Sequence, residues 1–381
     1  MATMTTDPAP RSASLVRALP FWLCLMNVPL VAFAAWAGGW AVLLPGLYAW
    51  GAFSVMDAIA GLDQGNLDPS TPEDELVWYR RVTLIWLPVQ LLLIYGTLAY
   101  VTATGHLAAW EELAVFAGVG VATGTIGITY AHELMHQKPK AERWLADLLL
   151  ATVLYSHFRS EHLLVHHRHV GTPKDPATAR FGESLWRFLP RVLWQSLVSA
   201  WEAEKAMLAR KGLPATDRGN PFRRYALLQG MALLLALLIG GWWGLTLFFV
   251  QAAMAVFQLE LVNYIEHYGL ARRHLGEGRY EPTRPHHSWN AAHKASNWLL
   301  INLQRHSDHH FKPDRRFPLL QTYAPEEAPQ MPYGYPVMTI AALAPPLWRR
   351  IMDRRVADWR ARHYPDVTDW SPYETMTDPV R

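Results

Sequence analysis

Apolar and polar stretches alternate along this chain on the scale of a lipid bilayer. Runs at about 17–37, 40–60, 82–103 and 113–136 are each long enough to cross ~30 Å of hydrocarbon, which takes about 20 helical residues. A last apolar stretch divides at Gly240 and Gly241 into runs at about 225–240 and 243–266. Backbone groups exposed to lipid must satisfy one another, so each run is expected to be helical. The pattern therefore predicts an all-α integral membrane bundle of six transmembrane helices. Residues 1–15 are polar and read as a flexible tail, leaving 16–381 as one membrane domain. Segments 137–224 and 267–381 are polar and would form a cap. Within the first, the apolar patch from Trp144 to Tyr155 is too short to cross and is expected to be an interfacial or re-entrant helix. Within the second, Tyr333 to Leu347 is apolar but holds Pro336, Pro345 and Pro346, which predicts a surface segment rather than a crossing.

Charge supplies an orientation. The connections near 38–40, 104–112 and 240–242 contain no Lys or Arg, whereas 137–224 and the C-terminal region are dense in both. The positive-inside rule then puts both termini and the cap in the cytoplasm of a multi-pass inner-membrane protein. Only 18% of residues are charged, against roughly a quarter in soluble proteins, which agrees with lipid exposure. The single cysteine, Cys24, excludes disulfides, CxxC zinc sites and an iron–sulfur cluster held wholly by this chain. The glycine pattern from Gly118 to Gly124 lies in a membrane run, with no preceding strand and the wrong spacing for dinucleotide binding, so it reads as a helix-packing surface. Nothing points to nucleic acid.

Histidine changes the picture most. Of 17 histidines, 15 lie between positions 132 and 310. His132 and His136 end the fourth run, four residues apart and so on one helical face. His162 pairs in the same way with His166, with His167 one step round; His306 pairs with His309 and His310; His267 ends the sixth run. These nine neutral nitrogen donors at one membrane face are the candidate ligands of a two-metal site, and imidazole alone does not choose among iron, copper and zinc. Glu133, Glu161, Glu266 and Asp308 adjoin ligands and are expected to orient imidazole N–H groups. Read alone, His132-Glu-Leu-Met-His136 also fits the HExxH zinc-peptidase motif with Glu133 as general base. A metal-holding receptor without catalysis is a third reading. Asp57, at a membrane boundary, reads as structural; Ala49, Trp50 and Phe53, on its helical face, are candidates to line a substrate channel. Arg143, Arg159, Arg168, Lys174, Arg187 and Arg191 make the cap face basic.

Several segments together resemble the integral-membrane di-iron alkane monooxygenases, relatives of the membrane fatty-acid desaturases and xylene monooxygenases. They are His132-Glu-Leu-Met-His136, Glu161-His-Leu-Leu-Val-His-His167 running into Thr172-Pro-Lys-Asp-Pro-Ala-Thr-Ala-Arg180, Asn263-Tyr-Ile-Glu-His-Tyr-Gly-Leu270, His287-Ser-Trp-Asn290 and Leu303-Gln-Arg-His-Ser-Asp-His-His310. Met135 and Gln137 stand where that family commonly has Gly and Lys, as in its xylene-oxidising branch, and Val165 replaces a Gly. The resemblance implies that His132, His136, His162, His166, His167, His267, His306, His309 and His310 ligate two non-haem iron ions. It further implies O₂-dependent hydroxylation of an unactivated C–H bond, foremost the terminal methyl of medium- and long-chain n-alkanes to give 1-alkanols, with xylene-type or fatty-acyl oxidation as the variants. No electron source is encoded here, and the resemblance implies rubredoxin and its NAD(P)H-dependent reductase, with substrate arriving through membrane lipid.

Overall fold

A computed structural model describes residues 12–370; the rest of the expected N-terminal tail, residues 1–11, lies outside them. Five helical elements are long and apolar enough to cross a membrane: Leu15–Ala37, Gly39–Ala60, Val77–Thr104, Ala109–His136 and Pro221–His267. The fifth has 47 residues, which as a straight rod would measure about 70 Å, more than twice the hydrocarbon thickness. It is not straight. Gly241 has φ 60° and ψ −153°, and a side chain on Gly244 would sit 2.8 Å from the Ala236 carbonyl oxygen, so the chain doubles back there. Tyr95 touches both arms, donating its hydroxyl to the Ala232 carbonyl (3.0 Å) and stacking on Phe248 at 6.0 Å. The element is thus a helical hairpin, and the bundle has six arms.

The fourth span, Ala109–His136, is the centre of the bundle: 78% of its apolar window is buried, against 22–50% for the others. Its glycines make that possible. A β-carbon on Gly120 would lie 2.5 Å from the Gln251 carbonyl oxygen, and one on Gly124 2.8 Å from the Cα of Ala255, so the fifth span packs backbone to backbone against this face. The connections without cationic residues meet at one end, where Glu111 accepts from the Gly39 N–H (2.6 Å) and Glu112 from the Trp243 indole (2.5 Å). All three histidine segments lie at the opposite end.

Among the described residues the cap combines helices and irregular segments with a two-strand hairpin of β1 (His274–Gly276) and β2 (Arg279–Tyr280). The patch expected to lie at the interface is helix Lys140–Ala151, with Leu149 and Leu150 buried against the bundle. The segment expected on the surface is not among the spans and exposes Tyr333, Ile340, Leu343 and Leu347, but one of its faces packs into the core. Tyr335–Ala342 is a helix whose Tyr335, Met338 and Ala342 are at most 1% exposed, because Pro336 occupies the first helical turn, where a missing N–H costs nothing. Pro345 and Pro346 likewise open the next helix, Pro345–His363.

Candidate metal centre

The nine histidines converge, but in two groups: His132, His136, His162, His167 and His309 form one, and His166, His267, His306 and His310 the other, the ligand atoms of each lying within 4.8 Å of one another. Helical spacing left the partition open, pairing His162 with His166 and His306 with both His309 and His310. The first correction comes from a π-helical turn at His162–His166, where the His167 N–H bonds to the His162 carbonyl. That widened turn brings residues five apart into line, so His162 joins His167 and sends His166 to the other group. In His306–Phe311 the i,i+4 pair is His306 with His310, their Nε2 atoms 2.9 Å apart, and the ring of His309 is turned toward His132, at 4.3 Å between centroids.

The nitrogens cannot be arranged this way for hydrogen bonding alone. His162 Nε2 lies 2.9, 3.1 and 2.9 Å from the Nε2 atoms of His132, His136 and His167. A ring nitrogen has one proton or one in-plane lone pair, so no tautomer satisfies three such contacts. In the second group, His306 Nε2 is 3.1 Å from His267 Nε2 and 2.9 Å from His310 Nε2, which is 3.2 Å from His166 Nε2. Ligands about 2.1 Å from a metal are ~3.0 Å apart when at right angles and ~4.2 Å when opposed, so the observed spacing is that of coordination shells. His309 Nε2, enclosed without a hydrogen-bond partner, fits the same account. Burial, reinforced by neighbouring imidazoles, holds His162, His167, His306, His309 and His310 well below the usual imidazole range. Their lone pairs are therefore available at neutral pH.

A family model described as fatty acid desaturase matches residues 104–342. The chain is 38% identical to alkane 1-monooxygenase 2 of Pseudomonas aeruginosa over 364 residues, 92% of this chain and 94% of that one. The chain belongs to the alkane monooxygenase family. It is also 37% identical to alkane 1-monooxygenase 2 of Alcanivorax borkumensis, across 89% of this chain and 90% of that one. The hydroxylase component of the Pseudomonas putida xylene/toluene monooxygenase is 29% identical, across 86% of this chain and 85% of that one.

The carboxylates around this monooxygenase's histidines divide by task. Glu266 Oε1 lies 3.3 Å from His306 Nδ1 and accepts from the Tyr335 hydroxyl at 2.8 Å. Asp308, expected to orient an imidazole, instead accepts from Tyr323 (2.6 Å), Arg315 (2.5 Å) and the Gln321 N–H (2.9 Å), tying the following loop to its helix. Glu133 accepts from the Gln137 amide at 3.1 Å. Glu161 is buried with one oxygen unpartnered, and burial beside Asp175 raises it well above the usual carboxylate range. The residue that spacing did not single out is Asp175, whose Oδ2 sits 3.0 Å from His166 Nδ1 and accepts from Thr178 at 2.6 Å. Burial alone would raise Asp175; His166 and Thr178 hold it below the ordinary value. Its signal was the Lys-Asp-Pro-Ala-Thr run just after the histidines, in which an Asx turn, with the Ala177 N–H on Asp175 Oδ1 (3.1 Å), fixes the carboxylate.

A third group, Glu281, His286 and His287, also has ligand-like spacing. His287 Nδ1 accepts from the Arg284 N–H at 2.9 Å, so its Nε2 carries the proton and faces Glu281 (3.2 Å) and the Tyr364 hydroxyl (2.8 Å) as a donor. This is a hydrogen-bonded clamp on the C-terminal helix, and it leaves no lone pair on His287 for a metal. His106 is spent on the Trp36 carbonyl (3.0 Å) and Thr104 (2.8 Å) at the opposite end of the bundle.

One cavity in the bundle is lined by Ala49 and Trp50, by Ile128, Val262 and Leu299, and by His132, His162 and His306. Phe53, the third expected channel residue, does not line it and packs on Tyr48 at 5.2 Å in the core. Leu47–Ala52 is a π-helix, and the extra residue in that turn rotates Phe53 off the face shared by Ala49 and Trp50. Asp57 is structural, accepting from the Ser296 N–H at 2.8 Å.

Proposed function

We propose that this monooxygenase hydroxylates the terminal methyl of medium- and long-chain n-alkanes to 1-alkanols at two histidine-held irons. Its electrons come from rubredoxin and the NAD(P)H-dependent reductase that feeds it. The reading rests on the inner end of the cavity, where His132 and His162 of one group and His306 of the other face a channel walled largely by apolar side chains. A narrow channel admits an unbranched chain end-on, so one terminal carbon reaches the histidines while the remainder stays among side chains that reward methylene burial. Thr125, a polar group in the wall, is already paired with Gln258 at 2.7 Å and offers a hydrocarbon no cost of a broken bond. Alkane substrates are favoured over alkylbenzenes by the higher identity to proteins named for alkanes than to the xylene/toluene enzyme.

His132, His136, His162, His167 and His309 would hold one iron and His166, His267, His306 and His310 the other; nine neutral ligands suit either ferrous or ferric ions without adding charge. Bound there, the irons would supply the redox chemistry by which two electrons from the reductant and two from the C–H bond reduce O₂, one oxygen atom going to the alcohol and the other to water with two protons consumed. The chain's own part is orientation: Asp175 fixes the tautomer of His166, and Glu266, backed by Tyr335, faces the outer nitrogen of His306.

We read residues 16–381 as one hydroxylase domain in the inner membrane with its histidine end in the cytoplasm, because the cationic residues gather at that end. An acidic electron carrier would be steered to the exposed Arg168 and Arg187. Arg159 and Arg191 contribute less to such a surface, being paired with Asp147 (2.6 Å) and Glu183 (2.7 Å). One preparation tests the whole reading: metal analysis should give about two irons per chain, and reductant plus O₂ should convert n-alkanes to 1-alkanols by gas chromatography. One zinc per chain and no oxygen demand would overturn it in favour of a peptidase.

A further inference from the structure

A second cavity, of about 340 Å³, lies away from the hydrocarbon channel, where the first span begins and meets the cap. One wall is apolar, from Val16, Pro20, Phe21 and Trp298, and the other is polar, from Arg17, Lys294, Asn297 and Asn302. Val16 and neighbouring Leu19 are 75% and 54% exposed, as residues facing acyl chains would be, so the cavity opens at the depth where hydrocarbon gives way to headgroups.

Asp63 and Arg305 lie 4.0 Å apart in its lining, and Arg17 and Lys294 form no ion pair with a carboxylate among the described residues. Arg17 leans on the Ser12 carbonyl at 2.8 Å, and Lys294 lies over the Trp298 ring at 5.8 Å. Two cations beside an apolar wall match a ligand that combines a phosphate with acyl chains.

We propose that this cavity binds the headgroup of an anionic phospholipid, the phosphate drawn by Arg17 and Lys294 and the acyl chains running down past Val16. The site clamps the first span to the 294–305 segment of the cap, and none of the residues proposed to be varied is a histidine of the metal centre or a wall of the hydrocarbon channel.

The test uses the full-length, iron-loaded protein in nanodiscs of phosphatidylcholine with graded phosphatidylglycerol, reading retained lipid by native mass spectrometry. The wild type should retain phosphatidylglycerol over phosphatidylcholine. Arg17→Gln with Lys294→Gln should cut that preference about 25-fold, roughly fivefold for each charge removed, with iron content unchanged. The charge-keeping pair Arg17→Lys with Lys294→Arg should preserve it, which separates loss of charge from loss of fold. An undiminished preference in the neutral double variant would overturn the proposal. So would displacement of the lipid by inorganic phosphate at concentrations matching phosphatidylglycerol, since that would make it a site for a soluble anion.

Discussion

Ala49 and Trp50 share the outer wall of the hydrocarbon channel and should set chain length in opposite directions. Ala49 is only 5% exposed, so a larger side chain there has to grow into the channel. An Ala49→Trp change adds on the order of 150 Å² of apolar surface. At about 30 Å² per methylene, from ~0.8 kcal/mol per CH₂ and ~25 cal/mol per Å², the indole takes the room of roughly five methylenes. Each excluded methylene removes ~0.8 kcal/mol of burial, about a fourfold loss in kcat/KM. The longest good substrate should therefore fall by about five carbons, with its kcat/KM relative to short alkanes dropping about a thousandfold at most; bending of the chain or the channel would reduce this. Trp50→Ala does the reverse and should lengthen the accepted chain. Competition assays from hexane to hexadecane, read as 1-alkanol by gas chromatography on protein of verified iron content, give both profiles. The channel assignment fails if either profile matches the wild type, or if both substitutions move it the same way.

Asp175→Asn should lower metal affinity about 10–100-fold, measured by chelator competition, whereas Asp308→Asn should leave affinity near wild type and loosen the 315–323 loop instead. Because burial keeps His162, His167, His306, His309 and His310 deprotonated well below the usual value of ~6.5, affinity should be nearly flat from pH 8 to 6 and fall only at lower pH, where protons begin to compete. Ordinary imidazoles would already lose more than tenfold between pH 7 and 6, an outcome that would contradict the buried-shell account. Gly120→Ala should destabilise the protein by about 1–3 kcal/mol in denaturant melts, since its methyl group would meet the Gln251 carbonyl at 2.5 Å. Arg168→Glu should slow reduction by rubredoxin and weaken the salt dependence of that step, while leaving iron content unchanged.

Where hydropathy governs, the sequence was legible. Six apolar arms, the reversal at Gly240 and Gly241 and the collection of nine histidines at one end all follow from the cost of exposing backbone or charge to hydrocarbon. Proline was less informative, because its meaning depends on position within a helix. Pro336 and Pro345 begin helices rather than prevent them, so Tyr335–Ala342 is a helix with one face in the core where the sequence suggested only surface.

The partition of the metal ligands was hidden for a different reason. Pairing by fours assumes an unbroken α-helix, and this chain departs from one at Leu47–Ala52, Leu92–Gly96, Thr123–Ile128 and His162–His166. Two of those four turns account for the misplacement of Phe53 and of His166. The departure at His162–His166 also has a use that α-helical spacing would not serve. If His162 and His166 shared a face, the segment would direct both at one centre and turn only His167 elsewhere. With the widened turn, His162 and His167 serve the five-histidine group while His166 turns to the four-histidine group, where Asp175 holds it. A single short segment thereby joins both metal positions at a fixed spacing. Val165, 7% exposed within that turn, packs its side chain inward between His162 and His166.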